Sequence, residues 1–319
     1  MSIISTDINK AIAILKAEQL VAIPTETVYG LAGNIFSEKA IKAIFKTKQR
    51  PHFNPLIVHI GNKKNLDTIA SYVPKKAQLL ADTFWPGAIT LVLPKRNHIP
   101  DIITAGKSTV AVRVPNHPLT LELLSKLDFP LAAPSANPFN RISPTTVGHV
   151  ESYFGSTIDL ILDGGPCKKG IESTIIGFEG EEPVIYRLGS ISIEDIEAVV
   201  GRIGIKNTKT NKPLAPGMLE RHYAPKTKTV LTDSLKDAIK QYSGLKIGIL
   251  AFNDFMEDEN ISAKRVLSNT GNNLNEAAAK LYDALHMLDK QNLDIIIAER
   301  LPDFGLGKSI NDRLKRAAK

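Results

Sequence analysis

The sequence predicts an α/β protein, on three observations. Short apolar, β-branched runs alternate with helix-period stripes over most of the chain. The clearest run, Thr109-Val110-Ala111-Val112-Arg113-Val114, places its valines on one face through the two-residue period of a strand. After residue 226 a strand–helix–strand succession favours a second, small and mostly parallel sheet.

Ile8, Ile12 and Leu15 form the stripe of an amphipathic helix over 6–18. Val21, Ala22 and Ile23 then end a short buried strand, and Pro24 brings no N–H to a ladder. Thr25, Glu26, Thr27 and Tyr29 follow, with Gly30 and Gly33 allowing tight turns and close backbone approach. That cluster suits the lining of a polar pocket or an ordinary strand-to-helix turn. Ser37 can cap a helix through Lys46 that ends before Pro51. In 55–60 Leu56, Val58 and Ile60 share one strand face, and Ile57 shares the other with His59.

A helix near 75–83 leads through Trp85-Pro86-Gly87 to a strand at 89–93, and the valine strand is followed by a helix at 118–127. The next strand ends in Ala133-Pro134-Ser135-Ala136-Asn137, and Ser143-Pro144-Thr145 opens a helix. Strands at 158–162, 172–176 and 184–187 and a helix at 191–200 complete the first part. Residues 201–226 lack apolar periodicity and read as a long linker. Beyond it come a strand at 246–252, a helix marked by Leu274, Leu281, Leu285 and Leu288, a strand at 294–298 and a last helix at 309–318 capped by Ser309.

The length of 319 residues suggests about two domains, placed at 1–200 and 227–319 with 201–226 between them. Hydrophobic content of 43% and charged content of 23% fit a soluble globular protein, and the lone Cys167 excludes an intrachain disulfide. No apolar run approaches ~18 residues and no h-region is visible, so a cytoplasmic protein without a membrane span is expected. The net charge of +7 is unevenly placed. Residues 1–200 hold 20 Lys and Arg against 19 Asp and Glu, whereas 202–228 alone hold 7 against 1. The excess therefore sits in the linker, which speaks against a basic nucleic-acid face over the first 200 residues.

Lys48, Arg50 and Asn54 gather where a helix ends and a strand begins, a place for phosphates or for cations answering the helix dipole. Arg113 lies between apolar strand residues, which is costly unless it meets an anion. His59 reads as a hydrogen-bonded core residue or a ligand, and Ser135, Asn137 and Ser143 as caps, turns or binding hydroxyls and amides. The run 304–309 lacks the first glycine of a phosphate loop, since position 302 is Pro. The seven histidines and single cysteine show no zinc spacing, and no nucleophile elbow is present.

In order, Pro24-Thr25-Glu26-Thr27-Val28-Tyr29-Gly30-Leu31, Lys48-Gln49-Arg50-Pro51, Asn54-Pro55-Leu56, Trp85-Pro86-Gly87, the valine strand, Ala133-Pro134-Ser135-Ala136-Asn137 and Glu172-Ser173-Thr174 resemble the Sua5/YrdC/YciO family. Leu214-Ala215-Pro216-Gly217-Met218 and His222-Tyr223-Ala224-Pro225, with the second unit, resemble its long Sua5 form. The resemblance implies a twisted open sheet with a deep cavity and a smaller Rossmann-like C-terminal domain. It implies threonylcarbamoyl-AMP synthesis from ATP, L-threonine and bicarbonate, with pyrophosphate released. Mg2+ would accompany ATP, and the product would reach tRNA adenosine 37 through a downstream transferase complex.

The same resemblance places threonine against Thr27, His59, Arg113, Ala133 and Ser173, with Arg113 on its carboxylate. It places ATP against Lys48, Arg50, Asn54, Thr109, Ser135, Asn137, Ser143, Arg187 and His222. The residues themselves offer no dedicated carboxylate cage for a metal. The basic linker reads either as a lid over anionic substrates or as a solvated loop. Two rivals share the core: an RNA-binding module, and a carbamoyl-transfer domain of the hydrogenase-maturation kind, whose usual cysteines and acylphosphatase segment are missing from this sequence.

Overall fold

The computed structural model describes residues 2–206, 215–216, 218, 222–254 and 259–319. The expected lid residues 206–212 lie outside this description apart from Lys206, as do Leu214, Gly217 and Arg221 of the linker. Among the described residues no helix is long and apolar enough to cross a membrane.

The first part runs β1 (Ile3–Ser5), α1 (Ile8–Lys16), β2 (Val21–Ile23), β3 (Gly30–Asn34), α2 (Glu38–Lys48), β4 (Ile57–His59), α3 (Lys75–Phe84), β5 (Ile89–Pro94) and α4 (Asp101–Thr104). It continues through β6 (Thr109–Arg113), α5 (Pro118–Lys126), β7 (Leu131–Ala132), α6 (Val147–Phe154), β8 (Leu160–Leu162), β9 (Thr174–Glu179), β10 (Glu182–Arg187), α7 (Ile193–Val200) and β11 (Gly204–Ile205). These strands form one mixed 11-stranded sheet, ordered β1-β8-β2-β3-β7-β4-β6-β5-β9-β10-β11.

The second part holds β12 (Lys228–Thr232), α8 (Leu235–Gln241), β13 (Ile247–Ala251), β14 (Ile261–Val266), α9 (Leu274–Asp289), β15 (Ile295–Glu299) and α10 (Leu306–Ala317). Its sheet, β12-β15-β13-β14, is parallel throughout, as the strand–helix–strand pattern requires.

Leu56, Val58 and Ile60 enter the main core together with Ile41, Ile44 and Phe45 of α2. Ile57 faces the other way, onto Val92, Ala111, Tyr186, Ala215 and Met218. Each fully buried Leu or Ile of this kind contributes about 1.5–3 kcal/mol. A further apolar cluster joins Val28, Ile142, Ile171 and Tyr223 to residues of α9 and α10, so both parts share packing.

Several local expectations are corrected. Segment 24–29 joins two antiparallel strands, Ile23 opposite Gly30, rather than a strand to a helix. Gly30 is therefore a strand residue whose value is close approach, since a Cβ there would come 3.1 Å from that of Ala133. Helix α6 opens at Val147 with Thr146 as its cap, not at Ser143. Helix α10 opens at Leu306, and Ser309 donates to the Gly189 carbonyl at 2.8 Å instead of capping. Strands β1, β11, β12 and β14 and helices α4 and α8 carry no pattern strong enough to read. β14, Ile-Ser-Ala-Lys-Arg-Val, is a half-exposed edge strand without an apolar face.

Candidate active site

The loop between β2 and β3 is shaped by Thr25. Its Oγ1 accepts from the N–H of Thr27 at 3.1 Å and of Val28 at 3.2 Å, and donates to the Val28 carbonyl at 2.6 Å. This turn brings Thr27 beside Arg113 at the end of β6. Arg113 Nη2 donates to Thr27 Oγ1 at 3.0 Å and to Glu26 Oε1 at 2.6 Å, and Nε donates to the Gly87 carbonyl at 3.2 Å. The anion that a strand-embedded arginine needs is thus supplied here by Glu26, whose other oxygen accepts from the N–H of Asn116 at 3.0 Å. Parallel pairing of β4 with β6 sets His59 level with Arg113, and His59 Nδ1 lies 3.3 Å from the Ile57 carbonyl.

Arg50 follows the left-handed Gln49 (φ 53°) that ends α2, and it bonds the carbonyls of Asn54 at 3.2 Å and Pro55 at 2.8 Å. Arg187, at the end of β10, bonds the Ser173 carbonyl through Nε at 3.2 Å and Nη2 at 2.8 Å, and the Pro216 carbonyl through Nη1 at 3.3 Å. Ser173 Oγ lies 2.8 Å from Thr90 Oγ1 and 3.1 Å from Arg187 Nη2.

These groups line one hollow. It brings together Thr27, His59, Arg113, Ala133 and Ser173 with Arg50, Ser135, Arg187 and His222. Five expected residues are outside its lining. Lys48 is buried beneath it, its Nζ donating to the carbonyls of Ser135 and Asn137 at 2.5 Å each, so it braces that loop. Asn54 and Asn137 are buried beside it, and Ser143 donates to Glu172 Oε1 at 2.6 Å. Thr109 starts β6 opposite Pro94, at the far end of that strand from Arg113.

The lining also includes Thr25, from the cluster that suits a polar pocket, together with Glu172, Pro216 and Tyr223, which sequence reasoning does not assign to the site. Thr25, Glu172 and Tyr223 stand beside assigned residues in the same motifs, and that adjacency is the available signal.

Cations outnumber carboxylates here, with Glu26 on Arg113 and Glu172 in the lining as the acidic groups. Burial, then Arg187, pulls Arg50 down to about 9. Burial and then Arg50 hold Lys48 well below its ordinary value, and burial also lowers Arg187. Burial and Arg113 push His59 down to about 3. His222 is held neutral by burial and by Arg50, Lys48, Arg187 and Arg316.

Polar atoms are also left over. Both side-chain groups of the fully buried Asn54, Asn137 Oδ1, His222 Nδ1 and Tyr223 Oη have no partner among the described residues. Tyr223 further adopts a left-handed backbone (φ 63°), a strain found at sites whose surroundings enforce it. Among the described residues no three His, Cys, Asp or Glu side chains group as a metal cage. Crowded buried cations with hydroxyls and unpaired amides are equipped to hold a polyanion and a small zwitterion together.

Comparison with known proteins bears on this site. A family model described as "Telomere recombination" (Sua5_yciO_yrdC) matches residues 13–189, and one described as "Threonylcarbamoyl-AMP synthase, C-terminal domain" matches 191–319. A threonylcarbamoyl-AMP synthase of Pyrococcus abyssi is 38% identical over 98% of this chain and 94% of its own. One of Bacillus subtilis is 40% identical over 98% and 92%. The crystal structure of P. abyssi Sua5 complexed with L-threonine superposes with a TM-score of 0.92 at 37% identity, covering 99% of this chain and 98% of that one.

Proposed function

The chain belongs to the Sua5/YciO/YrdC family in its long Sua5 form, and on that premise we propose that it is a threonylcarbamoyl-AMP synthase, a nucleotidyltransferase. The observation that carries the reading is the hollow's surplus of buried cations and unpaired polar atoms, which calls for a triphosphate and an amino acid.

The amine of L-threonine takes up bicarbonate, losing water, to give a carbamate. A carbamate oxygen forms a bond to the α-phosphorus of ATP, the bond from that phosphorus to the β-phosphate bridge breaks, and pyrophosphate leaves. No covalent enzyme intermediate is required. The work of the chain is alignment and charge neutralisation.

Arg113, already holding Thr27 and Glu26, offers its remaining Nη1 to the threonine carboxylate, with His59, Ser173 and the Ala133 backbone around the amino acid. Arg50, Arg187, Ser135 and His222 meet the nucleotide. Lys48, Asn54, Asn137 and Ser143 support that side from beneath and around it, whereas Thr109 stands away at the far end of β6. Mg2+ arrives as part of the substrate, coordinated by the phosphates.

We divide the chain functionally into a catalytic domain (1–200), a covering linker (201–226) and a C-terminal domain (227–319). In this reading the linker closes over the labile adenylate, and a cytoplasmic transferase complex carries the product to tRNA. Deleting 206–212 then raises hydrolysis of the adenylate relative to its onward transfer, and unchanged partitioning removes the lid.

The test of the function itself is pyrophosphate release from ATP. The expected result is release that needs both L-threonine and bicarbonate. Release without threonine indicates carbamoyl-phosphate chemistry, and no release in any mixture points to a binding module; either result refutes the proposal.

A further inference from the structure

Glu172 is an interior carboxylate whose partners come mostly from the other end of the chain. Its Oε2 accepts from Arg313 Nε at 3.3 Å and Nη2 at 3.2 Å, and from Tyr282 Oη at 2.9 Å. Its Oε1 accepts from Ser143 Oγ at 2.6 Å. The Arg313 side chain has 0% exposure, on α10, and Tyr282 is fully buried on α9. A carboxylate so placed is tolerable only when every lone pair is met, and two of its three donors belong to the second part.

What this carboxylate anchors is the floor of the hollow. Its neighbour Ser173 receives three hydrogen bonds from Arg187. The backbone there is pressed against Gly189, where a Cβ would come 2.2 Å from the Thr174 nitrogen, and Gly189 is in turn held by Ser309 of α10. Above the same group, Tyr223 lies with its ring 5.5 Å from the Arg313 guanidinium and 5.7 Å from the Tyr282 ring. One buried cluster therefore joins α9 and α10 to the floor and to the cover of the hollow. The shared apolar cluster already provides adhesion between the two parts, so adhesion does not account for a buried ion pair.

We infer that Arg313 and Tyr282 are positioning residues of the active site, acting through Glu172 on Ser173 and directly on Tyr223. The inference rests on the synthase reading of the hollow and assigns the C-terminal domain a part in it.

The groups facing Glu172 are Arg313, Tyr282, Arg187, Tyr223 and Ser143. Burial drives its carboxyl upward, but Arg313, Arg187 and the Ser143 bond prevail and hold it below the ordinary carboxylate range. Without Arg313, burial gains weight and the carboxyl rises.

The experiment compares the full-length protein with Arg313→Met, Tyr282→Phe and the double variant Arg313→Met/Glu172→Gln. It reads thermal melting, kcat and KM for threonine against pH, and calorimetric affinity for threonine with a non-hydrolysable ATP analogue. Arg313→Met is expected to lower kcat/KM about tenfold or more near neutral pH, with a new acid limb that recovers as pH rises. The double variant loses that limb, and Tyr282→Phe weakens threonine binding about threefold or more. If Arg313→Met fails to fold, Tyr282→Phe and the double variant decide. Wild-type affinity and pH profiles in the folded variants overturn the inference, whatever happens to melting. The calorimetric affinities decide between these outcomes even if pyrophosphate release shows a different reaction.

Discussion

In the second part of the molecule the buried Asn311 amide uses both its groups on Leu301, accepting from its N–H at 2.9 Å and donating to its carbonyl at 2.8 Å. In the first part the buried Asn54 amide has neither group bonded among the described residues. The same contrast runs through the arginines. Arg313 is enclosed with a carboxylate, and Tyr223, Glu172 and Tyr282 offset its burial so that its proton is held more tightly than usual. Arg50 is enclosed with carbonyls and other cations and is pulled down to about 9. Asn311 and Arg313 are thus fully partnered while Asn54 and Arg50 are not, whereas Arg113 of the site keeps Glu26 and Arg265 Nε of the second part has no partner among the described residues. A buried polar group without a partner costs about 1–3 kcal/mol, which a ligand can return.

The largest expected effect that sharpens this contrast is at Arg50. Arg50→Gln removes a crowded cation with no carboxylate of its own, so kcat/KM for ATP falls about a hundredfold while melting holds or rises. A fall in melting temperature together with unchanged kinetics would place Arg50 with the structural arginines instead.

The next effect is on protons. Nucleotide binding brings negative charge to His222, which burial first and neighbouring cations second hold well below its ordinary value. An anion raises it, so binding takes up protons, up to about one, and affinity strengthens as pH falls. Calorimetry in buffers of different ionisation enthalpy reads this uptake; a buffer-independent heat contradicts it.

The smallest effect is at the seam between the two parts, where His149 and His286 stack with centroids 3.8 Å apart. Burial, then His149, pushes His286 from 6.5 down to about 3. Its folded value is lower, so the unfolded chain binds more protons between these limits. Stability from this group is therefore present above about 6.5 and is lost towards about 3, at about 1.4 kcal/mol per pH unit. His286→Gln should flatten that slope in chemical denaturation, and an unaltered slope would clear the pair of this role.

Sequence periodicity is most informative where a strand or helix has one apolar face. The valine strand, Ser37 as the cap of α2 and the outward turn of Ile57 and His59 are all legible for that reason. Edge elements such as β1 and β14 are not, because exposed strands keep no alternation. In the site, Arg113 announces itself by being charged between small strand residues. Tyr282 and Arg313 give no signal, since one sits in a leucine-rich helix and the other in a helix with a basic end that reads as surface. Only the packing of α9 and α10 onto Glu172 reveals them.

The most direct test compares Asn54→Ala with Asn311→Ala, reading melting temperature and affinity for a non-hydrolysable ATP analogue. The expected result is that Asn54→Ala weakens the analogue about tenfold with melting unchanged, and that Asn311→Ala costs about 2 kcal/mol of stability with affinity unchanged. The reverse assignment, or equal loss of stability in both, would contradict the claim that polar atoms buried beside this hollow are kept for a nucleotide.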